Sequence, residues 1–334
     1  MVAIHSYGVA VFLCIITMLC WGSWANTQKL SKKEWSFQLF YWDYAIGILI
    51  ISFVLAITAG NFGSEGRSFF SDICLASGES FFYAFAGGVV FNLANILLVA
   101  AIDIAGMSVA FPLAIGLALV IGVIVNYIAQ PLGQPILLSL GVLSVLIAIV
   151  IDAIIYKRIS NNKNNKVIKG ILVSVISGIL MGFFYPLVIH AISIDFSNPT
   201  PSLMTPYTAS FIFALGIFLS NFIFNSWMIK FPISGKKLNF SDYFKQGNLW
   251  LHTIGILGGV IWGLGSCLNF IASGVAGPSI SYGLGQGATM IAAFWGVFIW
   301  KEFALAPKGT NKFITLMFIT YIIGLILIVL ARNI

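Results

Sequence analysis

Charge is scarce in this sequence. Only 8% of its 334 residues are charged, whereas 60% are hydrophobic. An ordinary soluble domain is about one-quarter charged, because its surface must be solvated by water. The low charge therefore excludes a soluble globular protein and indicates a chain that lies in lipid. The formal net charge of +7 does not indicate nucleic acid as a partner, because the Lys and Arg residues form short clusters between apolar runs.

Cysteine is also sparse, and it lacks the spacing of a metal or redox site. Three of the four cysteines fall inside apolar runs, which is typical of small core residues: Cys14, Cys20, Cys74 and Cys267. The chain has no His/Glu metal motif, nucleophile elbow or paired intramembrane carboxylates, so we expect no catalytic residue, no metal and no cofactor. Residues 1–8 contain no Lys or Arg, unlike a secretion signal, and the first apolar run is expected to remain as a helix.

What the chain does have is ten apolar runs, each close to the roughly 20 residues that a helix needs to cross a bilayer. They predict an all-α integral membrane protein with ten transmembrane helices, numbered here as spans 1 to 10: 8–26, 39–59, 81–101, 105–127, 136–156, 169–190, 206–228, 250–272, 277–299 and 313–331. Very short connections around Asp103 and Gly274 predict antiparallel hairpins between spans 3 and 4 and between spans 8 and 9.

The distribution of basic residues predicts the orientation. Fifteen of the 17 Lys and Arg residues lie in the connections after spans 1, 5, 7 and 9, and the opposite face carries only Arg67 and Arg332. Basic connections face the cytoplasm. We therefore expect a multi-pass protein of the plasma (inner) membrane with both termini extracytoplasmic.

An internal repeat is predicted at an offset of 171 residues. Gly87-Gly88-Val89 aligns with Gly258-Gly259-Val260, and the match continues without a gap to Gly116 and Gly287. Because the offset joins an odd-numbered span to an even-numbered one, the two halves must be inverted in the membrane. We predict a first five-helix repeat at 1–156, a cytoplasmic linker at 157–168 and a second five-helix repeat at 169–334. Inverted repeats place substrate sites between the halves, near mid-membrane.

Short motifs in both halves resemble a known superfamily. Ala276-Gly277-Pro278-Ser279 opens a hairpin helix that ends in Lys301-Glu302, which is similar to the drug/metabolite transporter superfamily. Trp21-Gly22-Ser23-Trp24 with Tyr41-Trp42-Asp43-Tyr44 resembles its ureide permease and glucose, ribose and rhamnose uptake branch. The long central loop with a phosphate-binding motif found in plant ureide permeases is missing, and Lys157 to Lys169 offers no such pattern.

The resemblance implies a secondary active transporter that takes up a small neutral polar solute with protons. The solute class stays open between a monosaccharide, such as a pentose or hexose, and a ureide or nucleobase. Sodium is the alternative coupling ion, and an exporter of drugs, amino acids or other metabolites is the alternative function. The expected partners are the polar substrate and the lipid bilayer; the oligomeric state is open.

A neutral polar solute needs amides or hydroxyls to replace its water, together with flat aromatic faces. Such side chains in spans 1, 3, 8 and 9 are the predicted substrate-binding residues: Trp21, Ser23, Trp24, Asn26, Asn92, Asn95, Trp262, Asn269, Tyr282 and Gln286. The structural alternative is that the amides hold helices together and that the Trp and Tyr residues form interfacial belts.

Few groups inside the spans could carry a proton. Asp43, flanked by aromatic residues early in span 2, is the predicted proton-coupling residue. The alternative for Asp43 is an ion pair with Lys29, Lys32 or Lys33. Asp152 is expected to face Lys157 and Arg158, and structural roles are expected for Asp103 and Glu302. His190 and His252 have no evident partner in the sequence.

Overall fold

The protein forms a bundle of long apolar helices. The computed structural model describes residues 1–31, 35–159, 167–233 and 236–332. Its helices are α1 Tyr7–Ser23, α2 Ala25–Leu30, α3 Phe37–Ile57, α4 Phe69–Leu75, α5 Gly78–Ala105, α6 Met107–Ala129, α7 Pro135–Ile159, α8 Val167–Ala191, α9 Pro206–Lys230, α10 Phe240–Gln246, α11 Leu249–Ala276, α12 Pro278–Gly285, α13 Ala288–Phe294 and α14 Thr310–Leu330. A π-helical turn, Trp295–Ile299, follows α13.

Ten helical segments in the described part of the chain are long and apolar enough to cross a membrane, which confirms the all-α class and the ten predicted spans. The first span runs through α1 and α2 to Leu30, one turn beyond the predicted end. The ninth span is not one regular helix, because it comprises α12, α13 and the π-helical turn. The apolar pattern did not reveal this interruption.

The two hairpins turn later than the sequence suggested. Asp103 lies in the last turn of α5, and Gly274 lies in α11. The turns are made by Gly106 and Gly277, whose φ angles of 80° and 89° lie in the region that favours glycine. A side chain at either turn would strain the backbone.

Element boundaries recur at the predicted 171-residue offset. Both α4 and α10 have seven residues, both α5 and α11 have 28, and the members of each pair begin 171 positions apart, as do the two turn glycines. The packing is matched as well, since α5 contacts α8 and α9 whereas α11 contacts α1 and α3. These observations support the predicted duplication, whose inversion in the membrane stays a prediction.

The connections lie at two ends of the bundle. One end, which we call the terminal face, joins the N-terminus to the connections 58–77 and 192–205: the Val2 amide binds the Ala59 carbonyl, and the Gly66 amide binds that of Ser197. The opposite end, called the basic face, carries Lys29, α10 and the connection after the ninth span. Of the predicted linker, residues 160–166 lie outside the described residues, as do Lys32 and Lys33.

Candidate functional site

The interior of the bundle contains a layer of aromatic rings centred on Trp262 of α11. The Trp262 ring stacks on Phe91 with centroids 4.2 Å apart and on Trp21 at 6.0 Å. Phe213 of α9 and Tyr44 of α3 complete the layer at 6.1 and 6.3 Å. Two predicted site residues, Trp21 and Trp262, are therefore neighbours, with an interplanar angle of 12°. The rings cover one another, since Trp262 is only 5% exposed, and the layer is of the flat apolar type that packs against ring-shaped solutes.

The ninth span is interrupted beside this layer. Helix α12 ends at Gly285, and α13 begins at Ala288. A Cβ on Gly285 would lie 2.7 Å from the Trp21 ring and 3.2 Å from Nδ2 of Asn269, so the missing side chain allows both to reach the interruption. Gln286 lies within it and is 8% exposed. Discontinuous helices near mid-membrane are typical of transporter substrate sites, because they place polar groups where lipid supplies none.

Two of the amide and hydroxyl groups near the interruption differ in how well they are paired. Asn269 donates from Nδ2 to the Ser281 carbonyl at 3.0 Å, and its buried Oδ1 has no hydrogen-bond partner among the described residues. Tyr282 donates to the carbonyls of Ala118 and Met181, 3.2 and 3.3 Å away. The Asn269 Oδ1 atom is thus free to accept a hydrogen bond among the described residues, whereas the Tyr282 hydroxyl connects the ninth span to spans 4 and 6.

A cavity of about 290 Å³ opens above this layer at the terminal face. Its polar lining consists of Asn126, Gln130, His190, Ser193 and Ser273. Ser273 lies one helical turn beyond Asn269, and Pro278, which also lines the cavity, lies one turn before Tyr282. The lining itself contains no residue of the aromatic layer and none of the predicted substrate-binding residues. Its volume suits a solute of the size of a monosaccharide or a small heterocycle, being near the lower end for small-molecule sites.

Three predicted residues of span 1 lie farther from the cavity, at the basic face. Ser23 accepts a hydrogen bond from Trp295 at 2.9 Å, and Asn26 accepts one from Trp300. The Trp24 ring packs 4.7 Å from that of Tyr44. These contacts attach the end of span 1 to the end of span 9 and to span 2, as the structural alternative expects.

Asn92 and Asn95 are both buried but contact different helices. Asn92 donates to Oγ of Ser220 in α9 at 2.8 Å, and its Oδ1 has no partner in the described ranges. Asn95 donates to the Tyr41 hydroxyl in α3 at 3.2 Å. Asn95 therefore lies nearer the aromatic residues of span 2, and Asn92 strengthens the contact between spans 3 and 7.

Asp43 lies in a polar cluster that the sequence did not reveal. Its side chain is 2% exposed. Oδ1 accepts a hydrogen bond from the Tyr243 hydroxyl, and Oδ2 lies 2.9 Å from Nδ1 of His252. A Cβ on Gly255 would lie 2.5 Å from that of Asp43, so this glycine lets the carboxylate approach α11. His252 thus has a partner, contrary to the sequence interpretation.

Tyr243 was missed because it lies in a connection rather than in a span. A capping box of Asn239 and Asp242 begins the short helix α10 that carries it, and that pattern was the available signal. Burial, and then the hydrogen bond to the carboxylate, raise the pKa of Tyr243 above its usual value. The phenol therefore stays protonated at physiological pH and acts as a donor.

Lys29 does not form the ion pair with Asp43 that the sequence offered as an alternative. Lys29 forms an ion pair with Glu302, which also accepts a hydrogen bond from Tyr156 at 3.0 Å. Asp152 is buried at 6% exposure, and among the described residues no ion pair joins it to a base. The Arg158 guanidinium instead lies over the Phe313 ring, 4.0 Å from its centroid. The expectation that Asp152 faces Arg158 and Lys157 was wrong.

A third buried carboxylate, Asp72, lies at the terminal face. Asp72 of α4 accepts hydrogen bonds from the Thr205 amide at 2.7 Å and from the Thr205 hydroxyl at 2.9 Å. It also pairs with Arg67, with Nη2 2.8 Å from Oδ1. Arg67 in turn donates to the Leu203 and Thr200 carbonyls. This cluster joins the connection after span 2 to the start of span 7.

Ten membrane-spanning helices around a buried aromatic and amide-lined interior, with a cavity at one face, define a membrane transporter. The family comparison gives the same class. The family model for ureide permeases matches residues 40–169 and 156–331, most of the chain. The chain therefore belongs to the ureide permease family. The two matched segments overlap at residues 156–169, which contain the predicted linker.

Curated relatives cover the chain from end to end. Ureide permease 1 of Arabidopsis thaliana is 23% identical over 387 aligned positions, which cover 97% of this chain and 97% of that protein. Ureide permease 2 of the same plant is 23% identical, with 96% of each chain covered. A protein of known crystal structure superposes with a TM-score of 0.63 at 13% identity, covering 98% of this chain and 99% of its own. That likeness supports the fold alone. The relatives are named as permeases, not as enzymes.

Proposed function

We propose that this transporter takes up a small neutral polar solute that contains a flat or compact ring, with a ureide or nucleobase as the first candidate. The observation that carries the proposal is the meeting of the stacked Trp21 and Trp262 rings, the unpaired Asn269 oxygen and the interruption at Gln286. Stacked rings bind the faces of a heterocycle, and amides replace the water on its edge. The names of the curated relatives favour ureides.

A monosaccharide is the second candidate. The same aromatic faces pack against the apolar side of a sugar ring, and the hydroxyl and amide groups of the cavity match its hydroxyls. Export of an apolar drug is favoured less, because an apolar solute has no use for the Asn269 and Gln286 amides.

The distribution of charge supports an orientation for this uptake. The basic face holds the Lys and Arg clusters, so we assign it to the cytoplasm of the plasma (inner) membrane, with both termini outside. The cavity then opens to the exterior. We propose this cavity as the place where the external solute enters.

Asp43 is the proposed coupling residue, with a proton as the coupling ion and sodium as the alternative. The carboxylate is buried near the basic face, and its two neighbours, Tyr243 and His252, are hydrogen-bonding side chains rather than lysines. A carboxyl group in this setting can change between charged and neutral without breaking a fixed ion pair. It therefore suits reversible proton uptake.

The test uses purified protein in proteoliposomes with an imposed inward proton gradient and labelled allantoin, uracil, ribose and glucose. We expect accumulation of one ring-containing polar solute, collapse of that accumulation by a protonophore, and no replacement of the proton gradient by a sodium gradient. Accumulation of none of the four, together with efflux of dyes or amino acids, would instead support the exporter.

Asp43→Asn separates coupling from binding. We expect this variant to lose gradient-driven accumulation and to retain counterflow exchange, because the amide cannot carry the proton. The matched control is Asp103→Asn, the same chemical change at an exposed carboxylate of α5, which should accumulate solute normally. Unchanged accumulation by Asp43→Asn would remove Asp43 from the mechanism.

A further inference from the structure

The short helices α4 and α10 occupy equivalent places in the two halves. Each has seven residues, each precedes a 28-residue spanning helix, and they begin 171 residues apart. At that same offset Asp72 of α4 corresponds to Tyr243 of α10. Both side chains bind the other half of the chain. Asp72 binds Thr205, just before the second span of the second half, and Tyr243 binds Asp43, in the second span of the first half.

At the terminal face this contact is a fixed ion pair. Asp72 is fully buried and holds Thr205, the residue that precedes α9, while Arg67 neutralises its charge. The guanidinium of arginine stays protonated at any physiological pH. The contact at this face therefore includes a permanently charged donor.

At the basic face the equivalent contact is made by titratable groups. Tyr243 donates to Oδ1 of Asp43 in α3, and His252 faces Oδ2. A carboxylate only accepts hydrogen bonds, so both neighbours act as donors when Asp43 is ionised. Trp35 packs against both rings, 5.9 Å from Tyr243 and 5.3 Å from His252. Together these contacts hold α10 over the end of α3.

The groups that face Asp43 come from each helix packed against α3. Helix α10 supplies Tyr243 and α11 supplies His252, whereas α9 supplies the Asn225 amide, which binds the Gln38 carbonyl and does not titrate. The nearest described lysine of the preceding segment, Lys29, is paired with Glu302. Within the described part of the chain, Asp43 and His252 are therefore the groups of this cluster that can change charge near neutral pH.

We propose that Asp43, Tyr243 and His252 form the binding site of the coupling proton and, through the same contacts, the latch of the cytoplasmic gate. The proposal rests on the proposed function and adds Tyr243 and His252 as positioning residues. When a proton binds the Asp43 carboxylate, the two donors lose the negative charge to which they point. Hydrogen bonds to a charged acceptor are roughly twice as strong as neutral ones, so protonation loosens α10.

The same chemistry closes the cycle. When the gate opens, the carboxyl group meets the cytoplasm and releases its proton, and the solute leaves with it. The restored carboxylate again attracts Tyr243 and His252, and α10 returns to α3. Opening thus requires a bound proton and closing requires its release, so the position of the gate follows the protonation state of Asp43.

Hydrogen exchange of the full-length protein in nanodiscs tests the latch without any solute. The amides of α10 are compared with those of α4 in the same sample at pH 5.5 and pH 8, so that α4 corrects for the intrinsic effect of pH. We expect the α10 to α4 exchange ratio to rise about tenfold at the lower pH, because two charge-assisted bonds weaken. An unchanged ratio would overturn the proposal.

Three variants identify the group that takes the proton. Tyr243→Phe should raise the ratio at pH 8, and Asp43→Asn should give a high ratio at both pH values. His252→Gln keeps a donor but cannot be protonated near neutral pH, so its ratio should still respond to pH. If His252→Gln abolishes the response, or if acid lowers the ratio in the unaltered protein, histidine takes the proton and the proposal is wrong.

These readouts are separable from the proposed function. Failure of every solute in the transport panel leaves the exchange ratio unaffected. Conversely, an unchanged ratio combined with loss of accumulation by Asp43→Asn would keep the coupling role of Asp43 and refute the latch.

Discussion

Asp72→Asn should weaken the terminal face by a measurable amount. The substitution removes the charge that Arg67 neutralises and leaves the guanidinium, whose side chain is 13% exposed, with the Thr200 and Leu203 carbonyls as its remaining acceptors. Breaking a buried pair by removing one partner costs roughly 3–5 kcal/mol. Because Arg67 keeps those acceptors and some contact with water, we expect about 2–3 kcal/mol. At roughly 2 °C per kcal/mol for a chain of this size, Tm falls by about 5 °C.

The assay is thermal unfolding in detergent, followed with a dye that becomes fluorescent on reaction with thiols. Cys14 and Cys267 are buried and react only on unfolding, whereas Cys74 is exposed and sets the background. The control is Asp195→Asn, since that exposed carboxylate binds amides of its own loop and should leave Tm within about 1 °C. An equally small shift for Asp72→Asn would refute the assigned role of the ion pair.

Three further outcomes are expected. Gly255→Ala should abolish gradient-driven uptake, because the added methyl group displaces Asp43. The control is Gly283→Ala, which should transport normally, because a Cβ at Gly283 meets ordinary contacts of 3.5 Å or more. Equal transport by the two variants would contradict the close approach of Gly255 to Asp43. Gln286→Ala should raise KM for the solute about tenfold with Tm retained, and an unchanged KM in initial-rate assays would remove Gln286 from the site. Hydrogen bonds from Ser197 and His5 hold the pKa of Glu65 below its usual value. The stabilising contribution of Glu65 is therefore present above about pH 4.5 and is lost on further acidification. In Glu65→Gln, Tm should fall less between pH 5 and pH 3.5 than it does in the unaltered protein. An equal fall of Tm in the two proteins would contradict this.

Part of the site followed from residue type and position in a span. We expected Trp21, Trp262 and Asn269 in the interior, because polar and aromatic side chains inside a span are stabilised by partners there. The structure brings them close to the interrupted ninth span. Their contact with a substrate stays a prediction. Ser23 and Asn26 satisfied the same sequence criterion but bind Trp295 and Trp300, since an apolar pattern does not reveal which neighbour a polar group meets.

The interruption of the ninth span could not be predicted from hydropathy. The mean hydropathy of the ninth span is 1.2 and still suits a membrane span, so hydropathy indicates one continuous helix where the backbone changes its hydrogen bonding. The Gly287 amide donates to the Leu284 carbonyl, three residues back along the chain, whereas an α-helix joins residues four apart. Such a change depends on packing against Trp21 and Asn269, which belong to other spans.

The sequence by itself determined that this chain lies in lipid and crosses it with ten helices. Those properties are local, because about 20 consecutive apolar residues suffice to define a span. Only the tertiary structure decided which polar side chains meet. His252 is 209 residues from Asp43 along the chain, and Tyr243 is 200 residues away. No local pattern relates them, and they meet because α11 and the short helix α10 pack against the end of α3.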